Sequence, residues 1–153
     1  MATFLAILHG LLAVALLGGI THQAVAVAWP SRNKTGFANA YRAVSSPIYA
    51  SANIVLFIAV AILGSVIYPT YRVWIRSYLE SARLYSAVGS FELKEQFISI
   101  GLGLLPFYWL VWRRPDAAGK SARTAVTLML CFIVWFGFIT GHILNNIRGL
   151  FGL

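Results

Sequence analysis

The sequence predicts an all-α protein: an integral membrane four-helix up-and-down bundle with an amphipathic helix between helices two and three. It forms a single transmembrane domain over residues 1–153. Three observations carry this prediction. Hydrophobic residues make up 59% of the chain and charged residues 10%, against roughly 25% charged in an average soluble domain, and the mean hydropathy is +0.78. Four apolar runs are each long enough to cross a hydrocarbon layer about 30 Å thick at ~1.5 Å per helical residue. Most basic residues lie between those runs.

Helix one is predicted over residues 4–29 and ends at Pro30. No Lys or Arg precedes Arg32, and the apolar run is too long for a signal-peptide core, so a retained helix is expected. Residues 31–46 read as a polar connection carrying Arg32, Lys34 and Arg42. Helix two follows over 47–68, with Pro47 suited to a first turn and Pro69 marking a stop or kink. In residues 70–88, Arg72, Arg76, Glu80 and Arg83 recur at helical spacing, with Trp74, Tyr78 and Tyr85 largely off that stripe. This pattern predicts an amphipathic helix that lies at the interface or extends helix two out of the bilayer, and offers a docking face or a solvated one. Gly89-Ser90 is expected to break it. Helix three spans 92–112 with a kink at Pro106, and helix four spans 124–147, where Gly137 and Gly141 permit close approach of a neighbour.

The net charge of +8 suggests nucleic acid in a soluble protein. Placed between apolar runs, it instead sets topology and meets anionic head groups, so the lipid bilayer is the predicted partner and nucleic acid is not. Seven Lys and Arg flank the 30–46 and 113–123 connections, against five on the other side, which places both termini outside. The single cysteine, Cys131, lies in an apolar run and reads as a packing residue. Four acids in the whole chain argue against a calcium or magnesium cage.

An up-down-up-down order brings the start of helix one beside the end of helix four. His9 and His142 then lie at matched depth, ~7–8 Å from one helix-end plane. Tyr68, Lys94, Glu95, Gln96, Asn145 and Asn146 belong to the same end. Ionisable groups inside apolar helices are costly and face the bundle interior. Two outcomes follow from the pattern: a hydrogen-bonded network that locks the helices, or a cofactor site. Facing histidines suit the two axial positions of haem b, while His9, His142 and Glu95 suit a small metal site such as copper. A quinone head group would use a His, a Tyr or Lys94. His22 lies thirteen residues after His9, ~20 Å along the helix and turned by ~220°. It belongs to the opposite end, beside Thr21 and Gln23 and with Tyr108 of helix three at similar depth, bonded to a neighbouring helix or serving a second haem or proton-transfer step.

The stretches Leu8-His9-Gly10-Leu11-Leu12, Thr21-His22-Gln23-Ala24-Val25, Ile67-Tyr68-Pro69-Thr70-Tyr71-Arg72, Phe91-Glu92-Leu93-Lys94-Glu95 and Gly141-His142-Ile143-Leu144-Asn145-Asn146 are taken together. They resemble a group of small uncharacterised bacterial four-helix integral membrane proteins. The resemblance implies a bacterial inner-membrane location with periplasmic termini. It also implies a histidine after the Lys-Glu pair, where this chain has Gln96. The layout is similar to haem b membrane-anchor subunits of respiratory complexes and to copper-resistance membrane proteins. The expected function is membrane electron transfer with haem b or quinone, as a subunit among the other membrane subunits of a respiratory complex or as a homo-oligomer. The alternatives are an accessory subunit with a structural polar network and a metal-ion-binding membrane protein.

Overall fold

The computed structural model describes residues 2–31, 35–43, 47–113 and 119–150, and among them every element is helical. The order is α1 (Ala2–Ala28), α2 (Phe37–Ala43), α3 (Pro47–Thr70), a π-helical turn (Tyr71–Ile75), α4 (Arg76–Ser81), α5 (Tyr85–Arg113) and α6 (Gly119–Leu150). Arg32, Lys34 and Arg114 of the charge count lie outside the described residues. α1 packs on α3 and α6, and α5 packs on α6 and α3, so each long helix has two long neighbours.

Three helical stretches, Thr3–Ala28, Pro47–Ser81 and Gly119–Ile147, are long and apolar enough to cross a membrane. α5, expected as a fourth span, is not among them. Its apolar half contains Gly101, Gly103 and Pro106 and carries Tyr108, Trp109 and Trp112, which lower its hydropathy. The exterior is apolar: Phe4, Leu11, Val55, Ile62 and Phe132 are all exposed. A water-soluble monomer rarely exposes so continuous an apolar surface.

The interior is built from Leu16 and Ile20 of α1, Ala50 and Phe57 of α3, Leu105, Tyr108, Val111 and Trp112 of α5, and Val126, Leu130, Ile133 and Val134 of α6. Small residues set the spacing. A Cβ on Gly101 would lie 2.6 Å from Phe57 Cζ and 3.2 Å from Ile133 Cγ2, so the missing side chain is what admits the Phe57 ring between α5 and α6. Gly137 similarly faces Ile98, whereas Gly141 meets open space and makes no close approach.

Three sequence expectations are corrected. The 31–46 connection contains the short helix α2, opened by Gly36 at φ +80°. Residues 70–81 of the amphipathic segment extend helix two, one of the two arrangements expected of it. Pro69 does not stop the chain. It lies in the last turn of α3, which widens into the π-helical turn and runs on as α4. The break falls at residues 82–84 instead of Gly89-Ser90, which lie inside α5.

The physical reason is a Schellman cap. Arg83 adopts φ 59°, its N–H donates to the Glu80 carbonyl at 3.0 Å, and the Leu84 N–H donates to the Leu79 carbonyl at 2.8 Å. Leu84 then packs on buried Leu79, the apolar contact that accompanies this motif. Leu79 also packs with Ala87 and Val88, which fixes α4 against the start of α5. Ion pairs from Arg76 to Glu80 (2.8 Å) and Glu92 (3.0 Å) span the same corner.

Candidate functional site

Polar side chains collect at two levels. The first is the expected one, around His9. Gly64 of α3 has no side chain, and the His9 ring from α1 fills the notch: a Cβ there would lie 3.3 Å from His9 Cε1. The ring is half-buried, lies beside the Val60 carbonyl, and is acted on electrostatically by Lys94 and Glu95 of α5. Its Nδ1 is buried without a hydrogen-bond partner. Lys94 Nζ pairs with Glu95 at 2.9 Å and lies 4.2 Å from the centre of the Phe91 ring. Phe91 stacks on Tyr71 at 3.6 Å and faces Tyr68 at 6.1 Å. Val60, Gly64, Tyr68 and Tyr71 recur at spacings of four, four and three, so one stripe of α3 and its extension serves this level. The Tyr71 hydroxyl is a second buried polar atom without a partner. Each such atom costs about 1–3 kcal/mol unless a ligand or water satisfies it.

The remaining predicted residues do not converge there. His142 is exposed, and its ring lies parallel to Phe138 of the same helix with centroids 6.4 Å apart. Gln96, Asn145 and Asn146 are exposed as well. A haem held between His9 and His142 does not fit this arrangement, because one ring is seated on α3 and the other is stacked along its own helix. The smaller metal site fares no better: among the described residues, no three His, Cys, Asp or Glu side chains gather. His22 is committed to α2, with Nε2 3.1 Å from the Tyr41 carbonyl and its ring edge-on to Tyr41 at 4.5 Å and near Tyr49 at 5.1 Å.

The second level was anticipated only in part: Gln23 and Tyr108 were expected near the depth of His22, but Asn53 and the meeting of the three were not. Gln23 of α1, Asn53 of α3 and Tyr108 of α5 meet in the core, and all are buried. Gln23 Oε1 accepts from the Tyr108 hydroxyl and from Asn53 Nδ2 (3.2 Å), and Asn53 Nδ2 also lies 3.5 Å from the Tyr108 oxygen. Asn53 Oδ1 presses on Gly19, where no side chain could stand. Nearby, Trp112 Nε1 donates to Thr127 Oγ1 at 3.2 Å, Thr127 Oγ1 donates to the Arg123 carbonyl at 2.7 Å, and Trp135 Nε1 donates to Thr21 Oγ1 at 3.0 Å. This level links all four long helices. Gln23 and Tyr108 each stand five residues before their helix ends, and Asn53 stands six after its helix start.

No family model, curated protein or solved structure matches this chain.

The two levels differ in chemistry. The Gln23 level holds neutral groups that satisfy one another, which suits holding helices in register. The His9 level combines a titratable imidazole, an ammonium–carboxylate pair, aromatic rings and two unpartnered polar atoms, which suits binding a polar aromatic ligand and moving protons.

Proposed function

We propose that the chain is an integral membrane protein, a four-helix bundle with both termini outside the bacterial inner membrane, that binds a quinone head group at the His9 level and serves membrane electron transfer. The observation that carries the reading is His9: its ring is seated on Gly64 with Nδ1 buried and unpartnered, in the field of Lys94 and Glu95. A quinone offers carbonyl acceptors and a flat ring. His9 and Lys94 are donors at the right level, and Phe91 and Tyr68 supply aromatic contact. Quinone reduction takes two electrons, which a partner redox subunit would deliver, and two protons, which His9 and the Lys94–Glu95 pair are placed to handle. The apolar exterior and the three membrane-length helices support the location. In this reading haem b would be restricted to a single protein ligand, His9.

The test is quinone retention by detergent-purified full-length protein, read by extraction and chromatography, together with oxidised and dithionite-reduced absorption spectra. Retained quinone that falls at least tenfold in His9→Leu and Lys94→Met, and stays in Gln96→Ala, is the expected result. Protein that folds, carries no quinone and binds none on addition overturns the reading. A Soret band lost in His9→Leu would replace quinone by haem.

One specific observation favours a second reading, an accessory subunit. The Gln23–Asn53–Tyr108 level is closed, buried and internally bonded, as a scaffold requires. Its signature is co-purification with a membrane complex that is lost when Trp74, exposed at 73%, is changed to Ala.

A further inference from the structure

α3 and α5 touch least among the four neighbouring pairs of long helices. Their seam holds a shallow groove lined by Ile54, Ile58, Leu102, Pro106, Trp109 and Leu110, apolar along its length. From Leu102 to Leu110 it follows α5 for ~12 Å. On α5 the lining stripe runs Leu102, Pro106, Trp109, and its next position is Arg113. The Arg113 guanidinium lies over the Trp109 ring, 4.5 Å from its centroid, and the side chain is exposed. None of the ion pairs among the described residues involves it. Among the described cations near this end, Lys120 is exposed but lies off the groove, and Arg123 and Arg42 are engaged. Arg123 donates to the Val111 carbonyl and lies over Trp112, and Arg42 bonds Asn39 and lies over Trp29.

The groove therefore has an apolar floor and one cation at its mouth, held by an indole. We infer that it binds an anionic phospholipid, with an acyl chain between α3 and α5 and the phosphate on Arg113. This rests on the membrane reading above. A guanidinium stacked on Trp keeps its fork of N–H donors free, and that fork matches two phosphate oxygens. Trp109 supplies the amphipathic ring common at the head-group level. The charge selects the lipid: a zwitterionic head group carries its own ammonium, whereas an anionic one leaves the cation's full attraction unopposed. The basic end is also the one that the charge count places on the cytoplasmic side, where anionic lipid meets such residues.

The experiment uses the full chain in mild detergent, exchanged against phosphatidylglycerol or phosphatidylcholine, with bound lipid counted by native mass spectrometry. The expected result is at least one phosphatidylglycerol held about fivefold more strongly than phosphatidylcholine, equivalent to ~1 kcal/mol for one cation beside an anionic head group. Arg113→Gln should abolish that preference, and Lys120→Gln, on the same side but off the groove, should keep it. Ile58→Trp, which fills the groove from α3, should expel the lipid while Arg113 remains. Equal loss in Arg113→Gln and Lys120→Gln would reduce the effect to general surface charge and overturn the site. So would a preference that survives both Arg113→Gln and Ile58→Trp. Membrane fractionation of the same cells separates the two readings. Protein recovered from membranes without lipid preference defeats only the lipid site, whereas protein recovered as a soluble monomer defeats the membrane assignment itself.

Discussion

Replacing Gln23 by methionine keeps the length of the side chain and removes the one acceptor shared by Tyr108 and Asn53. The Tyr108 hydroxyl then has no acceptor, and Asn53 Nδ2 keeps only its longer 3.5 Å contact to the Tyr108 oxygen. A buried donor left unsatisfied costs about 1–3 kcal/mol, beyond a net bond of about 1 kcal/mol, so a loss of about 2–4 kcal/mol is expected. Tyr108→Phe is milder. It removes one hydroxyl from a fully buried ring, but the Gln23–Asn53 bond at 3.2 Å survives and no polar atom of the pair loses its last partner. Its expected cost is about 1 kcal/mol, near the ~0.6 kcal/mol average for hydrogen bonds between membrane helices. The double variant removes the stranded hydroxyl but also takes the last acceptor from Asn53 Nδ2, so one buried donor stays unsatisfied either way and its stability should be about that of Gln23→Met alone. The coupling is thus about 1 kcal/mol in favour of the double change. Reversible unfolding in mixed micelles, followed by fluorescence of Trp112 and Trp135 beside the network, measures all four proteins of the cycle. Additive effects, or a Tyr108→Phe loss equal to that of Gln23→Met, would refute the shared-acceptor geometry.

Other expectations are simpler. Arg83→Gly should raise stability by about 1 kcal/mol, because the position needs φ near +60°, which costs a non-glycine residue ~1–2 kcal/mol; thermal unfolding of the detergent-solubilised protein reads it. Gly101→Ala should cost about 1–3 kcal/mol by forcing Phe57 and Ile133 apart. Gly103→Ala, where a Cβ meets open space, should be neutral or stabilising by up to ~1 kcal/mol through helix propensity. Gly64→Ala should leave the fold intact yet shift the His9 ring by a few tenths of an ångström, lowering quinone retention severalfold without changing the unfolding midpoint.

The helical class and three membrane-length helices were legible because apolar length is a local property of the chain. Helix ends were less so. Gly89-Ser90 looked like a break, but the chain turns at Arg83, where Leu84 packing on Leu79 and two capping bonds outweigh an unfavourable φ. Pro69 looked like a stop, yet the π-helical turn absorbs it. Depth along a helix can be counted from sequence, and in the structure Lys94 acts on His9 electrostatically and lies over Phe91, which faces Tyr68. Rotation about the axis cannot be counted as safely, and this is why His142 points elsewhere. The Gln23 level was read only in part, as Gln23 and Tyr108 at the depth of His22, for another reason: Gln, Asn and Tyr carry no charge, and only their meeting distinguishes them from isolated polar residues in apolar runs.

The two glycine notches on α1 and α3 are reciprocal. Gly19 of α1 receives Asn53 of α3, and Gly64 of α3 receives His9 of α1. His9 and Gly19 are ten residues apart and Asn53 and Gly64 eleven, so the antiparallel pair is pinned at two heights ~15 Å apart. A single pin leaves a helix free to swivel, but two pins of opposite sense forbid both swivelling and sliding. A slip of one residue would move each key ~1.5 Å along and ~100° around its lock. The pair must therefore travel as one lever. A slide of α1 along α3 at one notch is thus also a slide at the other.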